Sequence, residues 1–457
     1  STLSLACIEY SSQSYGADLI LPLNGPLIGN SSLTVYLPLG ESPSNNYFVN
    51  NDLDSSVDVF CTAAGNDLND GLTPANPKRT VQAIADLYRL KSGDSVWIDS
   101  GTYELSSDIT ISIMDTGTTF RGALSENGEP ATKFIRQTTS GSCFNFVAGT
   151  KDFTLQDMII TGGNVGISLD NYDHSYTSST NFNINNVLFT GNSGNACSFN
   201  EANVFINNSS IYNTGIDSMS SQIYLNNSVI YEGRIYVGSC YLNHYYEREG
   251  SLSLKNSILV KSSSGACVIL GYKLSRLSNA YYNDFFVTGN AILWTVATGA
   301  PYPTLNSTNL YKDPLFFDSE NGDFHLKSNT GRWNPMANAG LGGWETDSVT
   351  SSLIDAGNPN SDFSEEPKPN GGRINIGSYG NTPYASKSFW GRCMILDVPI
   401  TGTIYHRTCR LSWQYFGHGW ENGDTVSLEY SVDGGVTWIP IPSANAIPYN
   451  TDRKSVV

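Results

Sequence analysis

Acidic, basic and phenolic side chains gather in one stretch, residues 234–251, and in the segment that follows it. The candidate groups are Lys273, Arg276, His244, Tyr245, Tyr246 and Arg248. β-Elimination on a uronate needs a cation for the carboxylate, a base for the C5 proton and an acid for the leaving oxygen. Either arginine could bind the carboxylate, Lys273 or Tyr245 could be the base, and His244 or Tyr246 the acid. These residue types therefore suit a polysaccharide lyase that cleaves a uronate polymer.

Two features weaken this assignment, and a third counts against a glycosidase. Lys273 and Arg276 are three residues apart, which on a strand sends their side chains to opposite faces unless they lie in a bend. A Ca²⁺ ion could bind Asp170 and Asp173, but solvated loop carboxylates are the favoured interpretation of this pair, and no other cofactor is indicated. The remaining carboxylates, Asp157, Asp217, Glu232 and Asp284, are not spaced as the paired acids of a glycosidase.

Tyrosines supply the second functional hypothesis. Tyr241, Tyr246, Tyr281 and Tyr282 could stack on the sugar rings of a polysaccharide or a cell-surface glycan. We favour a non-catalytic surface module for glycan binding, adhesion or assembly into an extracellular fibre or layer. The polysaccharide lyase is the alternative.

A repeated pattern between residues 153 and 286 predicts the elements that position these groups. Six segments place an apolar residue two positions before an Asn or Asp pivot and apolar residues two or three after it. The pivots are Asp157, Asn186, Asn208, Asn227, Asn256 and Asn283. Such a spacing is the period of a solenoid, and the alternation within each segment predicts short strands. We expect an all-β parallel β-helix whose pivots form a hydrogen-bonded ladder, with an antiparallel sandwich as the alternative.

Composition and charge limit the kinds of molecule that the protein can bind and indicate its location. The 457 residues carry 42 acidic and 25 basic side chains, a net charge of −17, with only 15% charged residues. Nucleic acid is an unsuitable partner because phosphate binding needs a concentrated basic surface. No stretch is long and apolar enough for a transmembrane helix. Abundant Ser, Thr, Asn, Gly and Tyr are typical of secreted β proteins, so we expect an extracellular or cell-surface location.

A motif in the N-terminal third resembles the cap of pectate-lyase-like β-helix proteins. Its residues are Gly65, Asp67, Gly71, Pro77, Thr80, Ile84, Gly93, Asp94, Gly101 and Tyr103. The resemblance covers residues 57 to 388 and implies a right-handed parallel β-helix whose short N-terminal helix plugs the open end. It extends to the secreted and surface bacterial branch. The superfamily holds lyases, hydrolases, epimerases and adhesins, so the resemblance implies the fold and not the activity.

The chain is predicted to have three parts. Residues 1–55 form an N-terminal β element, residues 56–388 the β-helix, and residues 389–457 a small β-sandwich. The last part contains a strand–turn–strand pattern over residues 428–438, which is similar to hairpins of jelly-roll and immunoglobulin-like modules. Its most suitable disulfide is Cys393 with Cys409. Terminal strands could complete the sandwich within the chain or join it to copies of itself.

Overall fold

A computed structural model describes residues 45–53, 56–170, 180–242 and 246–388, together with four two-residue strands farther along the chain. The chain divides into two compact units, Ser1–Cys393 and Met394–Val457. In the described part, no helix has both the length and the apolar character needed to cross a membrane.

The first unit is a parallel β-helix with three faces. Strands of the first face pair in parallel and in sequence order; they are Asn46–Val49, Ser95–Ile98, Thr119–Gly122, Phe153–Gly162, Thr180–Thr190, Ala202–Asn207, Gln222–Asn226, Ser251–Lys255 and Arg276–Tyr281. Strands of the second face are Gly101–Leu105, Thr132–Arg136, the ends of Phe153–Gly162 and Thr180–Thr190, Ser210–Tyr212, Val229–Tyr231, Ile258–Lys261 and Asp284–Val287. Strands of the third face are Ile109–Ile111, Ser142–Phe146, Val165–Asp170, Asn195–Asn200, Ile216–Met219, Ile235–Gly238, Gly265–Leu270 and Ala291–Val296. The all-β parallel β-helix expected from the sequence is therefore the fold.

The bend between the first two faces changes which side chains point inward. Leu155, Ile184 and Leu225, two residues before a pivot, are fully buried in the interior. The first five pivots have a positive φ, for example 53° at Asn186, and this left-handed residue interrupts the strand alternation. Residues two after the pivot, such as Val229, therefore leave the central core and join a second cluster outside the coil.

A polar ladder runs inside the coils from Ser209, the residue after the pivot Asn208, to Asn309. The backbone N–H of Ser209 donates to Ser228 Oγ at 3.2 Å, and the N–H of Ser228 donates to Ser257 Oγ at 3.2 Å. The N–H of Ser257 then donates to Asn283 Oδ1 at 3.0 Å, and that of Asn283 to Asn309 Oδ1 at 3.0 Å. Each link satisfies a buried donor that the bend removes from the sheet pairing.

The N-terminal cap contains the expected short helix, Val81–Leu87. Thr80 is its N-cap, with Oγ1 accepting from the N–H of Ala83 at 3.2 Å. Asp67 holds the start of this turn, because its Oδ1 accepts from the N–H groups of Arg79 and Thr80 at 2.9 Å. Val81 and Ile84 are buried in the same core as the first coils, so the helix covers the end of the solenoid. The strand Asn46–Val49 already belongs to the first face, inside the range expected to form a separate element.

Residues 310–388 fold back over the second face. This C-terminal segment contains the strand pairs Phe316–Asp318 with Asp323–Leu326 and Arg332–Asn334 with Gly343–Glu345, and a 3₁₀ turn Ser319–Asn321. It also contains a turn, Ala337–Gly340, in which Asn338 and Ala339 have positive φ. Its apolar residues Phe324, Leu353 and Ile376 are buried against outward side chains of the second face. The C-terminal segment thus covers one face of the β-helix. The sequence, in which the repeats loosen after Asn306, does not predict this cover.

The second unit is described only through two antiparallel pairs. Thr425–Val426 pairs with Ile447–Pro448, and Glu429–Tyr430 pairs with Ile439–Pro440. The predicted β-sandwich, the turn within residues 428–438 and most of residues 1–55 lie outside the described residues.

Candidate functional site

The first face presents a long band of uncharged polar side chains. Its nine strands span about 38 Å along the helix axis, at the usual strand spacing of about 4.8 Å. The outward residues of its central strands are Thr154, Gln156, Asn181, Asn183, Asn185, Asn203, Phe205, Asn207, Gln222, Tyr224, Asn226, Ser253 and Lys255. Among the outward residues of the described first-face strands there is no Asp or Glu, although the chain has 42 of them. Three carboxylates nevertheless adjoin the band: Asp152 Oδ1 accepts from Asn181 Nδ2 at 3.0 Å, Asp157 Oδ2 accepts from Gln156 Nε2 at 2.9 Å, and Glu249 Oε2 is 2.6 Å from Arg276 Nη1.

Amide ladders cross this band from coil to coil. Asn207 Nδ2 donates to Asn185 Oδ1 at 2.9 Å, and Asn226 Nδ2 donates to Asn207 Oδ1 at 3.0 Å. Each amide has two N–H donors and two acceptor lone pairs, so the ladder leaves further donors and acceptors for solvent or a ligand. The spacing of these groups repeats with the coil, which gives a regular set of hydrogen-bonding positions along the axis.

An aromatic pair lies between the amides. The rings of Phe205 and Tyr224 have centroids 4.7 Å apart and planes inclined by 8°, which is a stacked arrangement. Their register neighbours on either side are Asn183 and Ser253, which are much smaller. The pair is only half-buried, and the Tyr224 hydroxyl has no hydrogen-bond partner in the described part of the chain. The aromatic pair therefore offers a ligand an apolar ring surface next to the Tyr224 hydroxyl.

Two cations, Arg121 and Lys255, lie among the outward residues of this face. Arg121 lies over the Trp97 ring, 5.2 Å from its centroid, and its Nε is 3.5 Å from Asp157 Oδ2. Lys255 follows Asn226 in the strand register, and Tyr281 follows Lys255. Of the predicted binding tyrosines, Tyr281 is thus on the first face. Tyr282 lies in the bend, with Arg373 of the C-terminal segment 5.1 Å from its ring centroid.

The predicted pivot ladder is discontinuous. Asn186 Nδ2 donates to Asp157 Oδ1 at 2.9 Å, and Asn256 Nδ2 donates to Asn227 Oδ1 at 3.2 Å. Asn208 instead donates to the carbonyl oxygens of Ser378 and Gly380, at 3.0 and 2.7 Å, because the C-terminal segment covers that bend.

The last pivot is displaced by one residue. Lys255 pairs with Tyr281 and Ile258 with Asp284, which places Tyr282 opposite Asn256 and Asn283 opposite Ser257. Tyr282 has the positive φ of a pivot, 57°, and Asn283 continues the interior serine ladder. A register shift between Leu252 and Ser253 accompanies this change.

The residues proposed for a lyase gather at the bend between the third and first faces. Residues 240–242 and 246–248 form an antiparallel hairpin that contains Tyr241, Tyr246 and Arg248, while His244 and Tyr245 lie outside the described residues. Lys273 is exposed in the following turn. Arg276 begins the last first-face strand, and its Nη1 is 2.6 Å from Glu249 Oε2. An arginine already paired with a carboxylate is less available to a uronate.

The predicted metal and disulfide residues have little structural description. Asp170 ends a third-face strand, whereas Asp173, Cys393 and Cys409 lie outside the described residues. Within the described ranges, no group of three or more His, Cys, Asp and Glu side chains is arranged to hold a metal ion. Cys61, Cys143, Cys197 and Cys267 are buried free thiols.

Two acids with strongly shifted pKa values lie away from the first face. Burial raises the pKa of Asp284 to about 7, and the nearby Asp313 adds to this shift. Burial likewise raises the pKa of Glu366, in the C-terminal segment, to about 7. Both groups are enclosed by protein, so they affect stability and not a solvent-accessible reaction.

Three comparisons with known proteins show what the chain is similar to. Residues 177–357 match a family model described as disaggregatase related. None of the curated proteins matches the chain. Among solved structures, a pectin methylesterase from Aspergillus niger in deglycosylated form is 14% identical, with a TM-score of 0.35 over 59% of this chain and 84% of that one. Pectate lyase Pel9A is 12% identical, with a TM-score of 0.28 over 73% and 96%.

The parallel β-helix is established by the strand pairing itself, and it agrees with the pectate-lyase-like resemblance.

The aromatic pair was not among the residues predicted from the sequence. Its signal is the alternation in residues 202–207 and 222–226, where Phe205 and Tyr224 occupy the same outward position one coil apart. Aligning the repeats by their pivots places these two residues in register.

Proposed function

We propose that the protein is a non-catalytic module that binds a glycan along its first face. The polar band supports this most directly, because it joins an aromatic pair, amide ladders and the cations Arg121 and Lys255 on one sheet. Sugar polymers bind to such surfaces through ring contacts with aromatic side chains and hydrogen bonds between hydroxyls and amides. An extended chain that follows the helix axis would meet equivalent groups at every coil.

The described surroundings of the first face favour binding over turnover. Arg276, one of the two arginines that could bind a uronate carboxylate, is already engaged by Glu249. The polysaccharide lyase needs a base, an acid and a carboxylate-binding group within hydrogen-bond reach of one sugar. The proposal places the protein outside the cell, in adhesion or in a fibre or layer built with copies of itself through terminal strands.

Retention on immobilised polysaccharides tests the proposal. Cellulose, xylan, chitin, galactan and pectate would be presented to the wild type, to Tyr224→Ala and to Tyr302→Ala. Tyr302 is a matched control because it is 72% exposed and is not among the outward residues of the first face. Truncating an aromatic anchor at a binding site costs about 2 kcal/mol, or about 30-fold in affinity.

We expect at least one polysaccharide to retain the wild type and Tyr302→Ala, and to release Tyr224→Ala. The soluble fraction should show no ultraviolet absorbance from an unsaturated product. Equal retention of all three proteins, or product formation that needs Lys273, would contradict the proposal.

A further inference from the structure

A second concave surface lies on the opposite side of the described β-helix, at the bend between the second and third faces. We call it the corner groove; four successive coils line it through residues 193–195, 213–215, 232–234 and 264–266, with Lys261 and Ile269. Its volume is about 540 Å³. We propose that the corner groove binds an acidic sugar unit through the guanidinium of Arg234, a site distinct from the first face and independent of the function proposed for it.

Glycines allow the backbones of neighbouring coils to approach closely at this bend. A Cβ on Gly215 would lie 2.5 Å from the Arg234 carbonyl oxygen, and one on Gly233 would lie 2.1 Å from that of Thr214. The coils therefore approach closely at a position where a side chain has no room. The groove runs across three coil spacings, about 14 Å, which is long enough for more than one sugar ring.

Two charged residues that line the groove, Glu232 and Lys261, already have hydrogen-bond partners within the protein. The Glu232 carboxylate accepts from the backbone N–H and Oγ of Ser262 at 2.7 and 2.6 Å, and from those of Ser263 at 3.0 and 2.5 Å. Burial opposes its ionisation, but these hydrogen bonds outweigh burial and lower the pKa of Glu232. Lys261 is buried, and its Nζ donates to the carbonyl oxygens of Glu232 and Gly233 and to Ser263 Oγ at 3.2 to 3.4 Å.

Arg234 differs from both. Its side chain is exposed, and in the described part of the chain no carboxylate lies within 4.0 Å of it. Asp217, on the neighbouring coil, is close enough for Arg234 to act on its pKa, which burial nevertheless raises. The guanidinium has a planar fork of N–H donors that fits a carboxylate with two parallel hydrogen bonds. It is therefore the group in the groove that is available to an anion.

The remaining residues that line the groove are better suited to a ring that carries hydroxyl groups than to a simple inorganic anion. The side-chain amides of Asn195 and Asn213 have no hydrogen-bond partners among the described residues, and Ile269 and Ala266 add apolar surface. A ligand with hydroxyls, an apolar ring face and one carboxylate matches this set. An acidic sugar has all three.

A matched pair of probes tests the site by calorimetry: a short glucuronic acid oligosaccharide and its neutral methyl ester, with inorganic sulfate at equal ionic strength as a third probe. We expect the acid to bind at least about tenfold more tightly than the ester, a difference of about 1.4 kcal/mol, and sulfate to bind more weakly than either. Arg234→Gln should remove the difference between acid and ester. Arg79→Gln, which changes an exposed arginine in the N-terminal cap, should keep it.

Tyr224→Ala separates this proposal from the first-face proposal. It should leave the affinity for the acidic probe unchanged, so loss of binding to one surface does not imply loss at the other. Equal affinities for acid and ester in the wild type would overturn the corner-groove proposal. So would an equal effect of Arg234→Gln and Arg79→Gln, because the attraction would then come from overall charge.

Discussion

Replacement of Asp284 by Asn should make the protein more stable at neutral and alkaline pH. Asp284 is fully buried on the second face beneath the C-terminal segment. Its Oδ1 accepts from the backbone N–H of Lys312 at 2.8 Å, and its Oδ2 has no partner. Burial therefore disfavours the carboxylate and raises the pKa from 3.8 to about 7.

The sign and size follow from proton linkage. A folded-state pKa above the unfolded value means that the folded protein binds the proton more tightly. This stabilisation is fully present below about pH 4 and is lost as the pH rises toward and beyond about 7. A shift of about three pKa units corresponds to about 4 kcal/mol in total, of which about 2.5 kcal/mol is lost between about pH 5 and pH 8. Asn has nearly the shape of the protonated acid and carries no charge.

Urea unfolding of the wild type and Asp284→Asn across this pH range gives the measurement. The stability advantage of the variant should grow by about 2.5 kcal/mol from about pH 5 to pH 8. Taking the difference between the two proteins cancels the similar effect of Glu366. Asp86→Asn, which changes an exposed carboxylate, is the control and should show no such growth. Parallel pH profiles for the wild type and Asp284→Asn would refute the reasoning.

Two further changes test the ladders and the C-terminal segment. Ser228→Ala should lower the free energy of unfolding by about 1 to 3 kcal/mol, because the buried N–H of Ser209 loses its acceptor; Ser253→Ala on the first face should change it little, and equal losses would contradict the ladder. Asn208→Ala should make residues 310–388 more sensitive to limited proteolysis, because two of their carbonyl oxygens lose a donor; an unchanged cleavage rate would show that the apolar contacts alone hold the segment.

The repeat pattern predicts the fold well because a solenoid imposes the same local requirement on every coil. An apolar residue must point inward before each bend, and Leu155, Ile184 and Leu225 do so. The pattern does not show that Asn186 and its equivalents take a positive φ, which reverses the facing of the residues that follow. For that reason the sequence pattern predicts Val229 in the central core, whereas in the structure it packs against the C-terminal segment.

The candidate site is harder to predict because it depends on register between coils. Phe205 and Tyr224 are 19 residues apart and become a stacked pair only when their strands pair in parallel. At the last coil, a register shift places Tyr282, and not Asn283, opposite Asn256, so alignment of the repeats by their sequence motif is wrong there by one residue. By contrast, the charged residues at 234–251 and in the segment that follows suggest a catalytic site in the sequence. In the structure, however, Arg276 of that following segment is paired with Glu249.

Oxidative footprinting with a retained polysaccharide bound tests the central claim most directly. Aromatic side chains under the ligand should be protected from hydroxyl radicals, and those elsewhere should not. The account predicts protection of Phe205, Tyr224 and Trp97, with unchanged oxidation of the exposed Tyr302 and Tyr311. Protection of Tyr302 and Tyr311 without protection of Phe205 and Tyr224 would show that the glycan binds elsewhere and would contradict the account.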